Sequence, residues 1–186
     1  ELKCGYHPAP AHNLRTCSAA ETVRNYRPPV KRKPPSLLPL RLMVQSFAAY
    51  HNNNFVPFLI RRFGSKVVAK VVDKYLIGSS RFWPGATVFW QADTNGRIRT
   101  GKIMLYDEAT GKRVKQPFPH ITWVHKVLQL PGYNLQQCLF GQHLIDHVVS
   151  NKDTGRKTVA LVESEKTAVI ASRYLPQYIW LSWGSL

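Results

Sequence analysis

The sequence predicts an α+β protein in which a helical N-terminal part and a basic β-hairpin segment lead into the first βαβ unit of an α/β domain. Three observations carry that reading. Apolar residues between Leu42 and Leu76 recur at helical spacing, the period drops to two between Thr87 and Tyr106, and Thr158 to Ser182 reads as strand, helix, strand. A division into residues 1–40, 41–157 and 158–186 follows.

Residues 8–40 are rich in Pro and Arg, with Arg27-Pro-Pro-Val-Lys-Arg-Lys-Pro-Pro35 at their centre. Proline fixes φ and removes donors, so this stretch is expected to be a semi-rigid extended tether. Its cations are either solvated or in contact with phosphates. Helical signals start near Pro39: Leu42 to Tyr50 is one amphipathic segment, and Asn54 is placed to cap a second that ends at Gly64. Ser65 opens a third, Lys66 to Leu76, with Val67, Val68, Val71, Val72 and Tyr75 on one face and Lys66, Lys70 and Lys74 on another. Gly78 is expected to close this helical unit.

Strands are expected over Thr87–Ala92 and Ile98–Tyr106, joined by Asp93-Thr-Asn-Gly96, whose Asn-Gly supplies the positive-φ positions a tight hairpin needs. Arg97 and Arg99, two apart, project from one face, an unfavourable arrangement unless an anion sits between them. With Lys102 on the same strand, and Arg113 and Lys115 after the turn at Ala109-Thr-Gly111, they form the expected phosphate-contacting surface. Beyond them lie a helix expected over Leu139–Val149 and a polar loop, Asn151 to Lys157. His143 and His147 lie four apart on that helix, spacing that suits a shared metal but more often marks a polar helix face. Trp123, Trp180 and Trp183 offer surfaces for base stacking or, by default, core packing.

The last unit joins a strand directly to a carboxylate. Thr158 to Val162 is short, apolar and β-rich, as for a strand covered on both faces in a parallel sheet. Glu163 falls at its carboxyl end, the edge where open α/β sheets bind ligands. Ser164 caps the helix that follows, and Tyr178 to Ser182 forms the next strand. A carboxylate at this point is either a helix-dipole residue or a functional group.

The 186 residues suffice for one ordinary domain or two small ones, and the hydrophobic content of 44% supports a core. Net charge is +16, unevenly spread: residues 1–130 hold 21 Lys and Arg against 6 Asp and Glu, and residues 131–186 hold 5 against 4. A polyanion lying along the basic part and ending at an acidic site fits that split. No apolar run reaches the length of a membrane span and no signal peptide is present, so no membrane partner is expected. Three cysteines, Cys4, Cys17 and Cys138, are too few for a disulfide framework and suggest reduced thiols in a cytoplasm. The chain begins without methionine and stops soon after a strand, as a fragment of a longer protein would.

Val162-Glu-Ser-Glu-Lys-Thr-Ala168 after a hydrophobic strand resembles the opening motif of the topoisomerase-primase (toprim) domain, with Ser164 where the usual primase form has Gly. Phe89-Trp-Gln-Ala-Asp-Thr-Asn-Gly-Arg-Ile-Arg-Thr-Gly-Lys102 is similar to the basic β segment of bacterial primases. Tyr75-Leu-Ile-Gly78 looks like the approach to that segment, and Cys138-Leu-Phe-Gly141 occupies the place of the element before the glutamate strand. The resemblance runs over residues 75–186 and points to a primase-like protein of plasmid or mobile-element type.

It implies a DNA primase that makes primers on single-stranded DNA from nucleotides by Mg²⁺- or Mn²⁺-dependent nucleotidyl transfer, with a replicative helicase as a possible partner. Glu163 would serve in metal binding or proton transfer, Lys166 would steady nucleotide phosphates, and paired aspartates would follow residue 186. Cys4, in Cys-Gly-Tyr-His7, would be a remnant ligand of an N-terminal zinc ribbon, although four zinc ligands do not occur here. The competing reading is a non-catalytic nucleic-acid-binding replication accessory module in which Glu163 only caps a helix. A toprim-type nuclease is a more distant third.

Overall fold

The computed structural model describes residues 33–145 and 158–184. Cys4, Cys17, most of the Pro-rich stretch, His147 and the loop 151–157 lie outside the described residues, as does the later part of the helix expected over Leu139–Val149. From Pro34 onward the chain forms one compact unit.

Helix α1 (Leu40–Ser46) follows Pro39 and passes into a 3₁₀ stretch, Phe47–Asn52, in which Ala49 leaves helical dihedrals. The single segment expected over Leu42–Tyr50 is therefore broken. Ser46 lies at the break: its hydroxyl donates to the Met43 carbonyl at 2.6 Å, a back-bond that bends helices, and accepts the Trp90 indole N–H at 2.9 Å. Helix α2 (Phe55–Phe63) starts after Asn54, but the cap is one residue earlier than expected. Asn53 Oδ1 accepts the N–H groups of Phe55 and Val56 at 3.0 and 3.1 Å, while the Asn54 amide donates across to the Tyr106 carbonyl at 2.9 Å. Helix α3 (Ser65–Lys74) follows Gly64 and buries Val68 and Val72, with Lys66, Lys70 and Lys74 exposed.

Four strands then form an antiparallel sheet in sequence order: β1 (Ile77–Ser80), β2 (Ala86–Ala92), β3 (Ile98–Met104) and β4 (Ile121–Trp123). Gly78, expected to end the helical unit, lies instead inside β1, where an added Cβ would strike Ser46. The hairpin at Asp93–Gly96 forms, with a bulge at Gln91/Ala92, but only Gly96 takes a positive φ, 72°, and Asn95 does not. A short helix α4 (Val124–Val127) follows β4.

Both faces of this sheet are covered, so every residue of β2 is buried. On one face Phe89 and Met104 pack with Phe55, Leu59, Val72 and Phe140. On the other Val88, Trp90 and Ile103 pack with Leu38, Met43 and Val124.

The final unit is the expected strand, helix, strand: β5 (Val159–Val162), α5 (Glu165–Tyr174) and β6 (Ile179–Ser182), with β5 parallel to β6. Ser164 caps α5 as expected, its hydroxyl accepting the Thr167 N–H at 3.1 Å. Strand β5 is not covered on both faces. Among the described residues its sheet has two strands, which leaves Val159 and Leu161 46% and 49% exposed. Ala168 and Val169 of α5 join the core of Phe55 and Phe89, so this unit and the antiparallel sheet share one interior. No helix among the described residues is long and apolar enough to cross a membrane.

Candidate functional site

Two glutamates two residues apart take opposite roles. Glu163, between the end of β5 and the cap of α5, is exposed. Glu165 opens the first turn of α5 and is buried. Its carboxylate accepts from the Lys102 ammonium at 3.2 and 3.4 Å, and each side chain is only 1% exposed.

The pair is assembled from two parts of the fold, the antiparallel sheet and the parallel unit. Lys102 on β3 sits between Phe89 on β2 and Trp123 on β4, with its Nζ 5.7 Å from the centre of the Trp123 ring. Gly184, just past β6, closes the far side. Its φ is +69°, and a Cβ there would fall 2.8 Å from Glu165 Oε1 and 3.4 Å from Lys102 Nζ, so a side chain is excluded on two counts. A buried charge is tolerable when it is paired and hydrogen-bonded. Here the pairing ties the start of α5 to β3 and so sets where Glu163 emerges.

This corrects the expectation that Lys102 contacts phosphate: it is enclosed and committed to Glu165. A sequence signal for the pair existed. On the helical period Glu165 shares a face with Ala168, Val169 and Ser172, all buried, and on the strand period Lys102 shares one with Thr100 and Met104.

The anion expected between Arg97 and Arg99 is supplied by the hairpin itself. Asp93 Oδ2 accepts from Arg97 Nε and Arg99 Nε at 3.0 Å each, and its Oδ1 accepts the backbone N–H groups of Asn95 and Arg97. Burial pushes the Asp93 carboxyl up, but the hydrogen bonds from Arg97 and Asn95 and the Arg97 charge outweigh it and hold the group below its usual value. Arg99 is mostly enclosed, its side chain 11% exposed, whereas Arg97 remains half exposed. Of the other expected phosphate contacts, Lys115 is exposed and Arg113 half-buried beside its bridge to Tyr106.

Lys166 does not point freely toward solvent. Its Nζ donates to the Gly111 carbonyl at 2.9 Å and lies 5.9 Å from the centre of the Tyr106 ring. Burial, then the nearby Arg62, pushes its pKa down. Burial likewise pushes the Cys138 thiol up to about 12, which makes it a poor nucleophile. His143 directs Nε2 to the Lys74 carbonyl at 3.0 Å. Trp180 is half-buried, its N–H bonded to the Leu175 carbonyl at 2.9 Å, and Trp183 is 53% exposed.

Among the described residues no three His, Cys, Asp or Glu side chains gather as a metal cluster. Glu163 offers one hard oxygen donor, and Glu165 is held by Lys102. The described residues therefore do not make a Mg²⁺ site by themselves.

No curated protein and no solved structure matches the chain. Residues 53–186, from the Asn53 cap through both sheets, match the family model of a domain of unknown function, DUF6371. The chain belongs to that family.

Proposed function

We propose that this chain is the front part of a toprim-like DNA primase that engages single-stranded DNA and nucleotides, with Glu163 as its functional carboxylate. One observation carries the reading: an exposed glutamate at the carboxyl end of a strand in a parallel βαβ unit, followed at once by a capped helix. That edge is where α/β sheets bind ligands. The buried Lys102–Glu165 pair supports it by fixing the turn from which Glu163 projects.

Of the cations expected to contact phosphate, Arg97, Arg113 and Lys115 remain to meet a phosphate backbone, by contacts that position a strand without reading its sequence. Primer synthesis on this reading needs further carboxylates, supplied in a longer chain, together with Mg²⁺ or Mn²⁺. A replicative helicase is the natural partner, a cytoplasmic location is implied, and any zinc ribbon would involve Cys4.

The test is Glu163→Gln in the full-length protein, assayed for primer synthesis on single-stranded DNA with nucleotides and Mg²⁺. Loss of synthesis with single-strand affinity retained is the expected result. Full synthesis by the variant removes Glu163 from the chemistry and leaves the second reading, a non-catalytic single-strand-binding module, which the net charge of +16 favours independently.

A further inference from the structure

Four rings from two loops meet near the surface. Phe82 and Trp83 come from the turn between β1 and β2, and Phe118 and His120 from the segment leading into β4. Phe82 and Trp83 meet edge to face at 4.6 Å, Trp83 lies 6.4 Å from Phe118 and 5.1 Å from His120, and Phe118 stacks on His120 at 4.4 Å. Two of these rings stay open, Phe82 at 48% and Phe118 at 50% exposure, which leaves large apolar faces in contact with water.

The cluster is held rigid from beneath. Trp83 packs against the core of Val88 and Trp90, the Phe82 N–H donates to Ser80 Oγ at 3.1 Å, and the His120 carbonyl accepts the Leu105 N–H at 3.2 Å. His120 is only 7% exposed, and its Nδ1 has no hydrogen-bond partner. A ring buried without satisfying its own nitrogen is costly for stability alone, and here it backs the exposed face of Phe118.

Cations flank the rings. Arg81, next to Phe82, is exposed, and Lys115, three residues before Phe118, is exposed as well. Arg81 and Phe82 also line an open cleft of about 840 Å³, together with His51, Asn52, Ser79 and Ser80. Exposed, preorganised rings beside exposed cations are what single-stranded nucleic acid requires, since every base has a face to stack and every nucleotide a phosphate to neutralise.

We infer that Phe82 and Phe118, backed by Trp83 and His120, form a base-stacking platform for single-stranded nucleic acid, with Arg81 and Lys115 on its phosphates. The inference deepens the proposed function by locating where the strand's bases rest, and it depends on that reading for its ligand.

The test compares two labelled 20-mers by fluorescence anisotropy, oligo(dT) and an abasic strand with the same phosphates and no bases. Wild type is expected to prefer oligo(dT), and Phe82→Ala/Phe118→Ala to lose most of that preference, binding oligo(dT) ~10-fold or more weakly with unchanged salt dependence. Arg81→Gln/Lys115→Gln should instead flatten the salt dependence and keep the preference. Phe82→Tyr/Phe118→Tyr, which retains the rings, should bind as wild type, guarding against loss through misfolding.

Equal binding of the two strands by wild type overturns the platform while leaving electrostatic single-strand binding intact. Binding of neither strand overturns both readings. If the alanine variant keeps the preference, or if sedimentation shows that it converts a dimer to a monomer, the patch has another role.

Discussion

The antiparallel sheet and the parallel pair solve the same problem differently. Strands β2 and β3 are covered by helices on one face and by α1 and α4 on the other, and nearly all their residues are buried. Strand β5 has one hydrogen-bonded neighbour among the described residues and alternates between exposed and half-buried. The difference teaches where stability and accessibility sit. The antiparallel part is a scaffold, and the parallel part brings a carboxylate to an open edge, tied to that scaffold by a buried ion pair together with the packing of Ala168 and Val169.

The comparison is sharpest at that pair. Glu165→Gln leaves the Lys102 ammonium buried without its counter-charge and should lower stability by about 3 to 5 kcal/mol in urea unfolding. Replacing both partners with apolar residues, Lys102→Met with Glu165→Leu, should cost much less. If the single and double variants are equally destabilised, the pair is not what joins the two regions.

Within the scaffold alone, Asp93→Asn should cost about 1.5 to 3 kcal/mol, since it weakens charge-assisted bonds to Arg97 and to the mostly enclosed Arg99. The pH dependence has a definite sign. A carboxyl held below its usual value when folded contributes stability above the unfolded pKa of about 4 and loses it as pH falls through the folded value. Wild type should therefore lose stability in acid below about pH 4 more steeply than Asp93→Asn. Parallel acid-unfolding curves would remove Asp93 as the hairpin's anchor.

Smaller effects belong to the parallel unit. Ser164→Ala removes the cap of α5 and should cost about 1 kcal/mol by thermal or urea unfolding. Glu163→Gln, at an exposed site, should shift stability by no more than ~0.5 kcal/mol. A large destabilisation there would make Glu163 structural and dissolve the contrast between the two glutamates.

Local chemistry was legible wherever a residue acts on its own neighbours. The Asn-Gly turn after Asp93, the stop at Gly64 and the Ser164 cap follow from φ preferences and from hydroxyls that reach a first-turn N–H, and the structure contains all three. Expectations failed where the partner lay far along the chain. Asn54 yields the cap to Asn53 because the Tyr106 carbonyl claims its amide. Gly78 enters a strand because Ser46 and Trp90 need its missing side chain. Arg97 and Arg99 share an anion already present in the turn before them.

By itself, then, the sequence determined the order of helices, hairpin and βαβ unit, and placed Glu163 at the mouth of a strand, because periodicity, caps and turns are short-range effects. Only the tertiary structure decided that Lys102 and Glu165 are buried partners and that Trp83 meets Phe118. Residues 63 and 35 positions apart come together through packing of two faces that no local pattern orients toward each other, and a charge becomes structural or accessible according to what those faces leave for it.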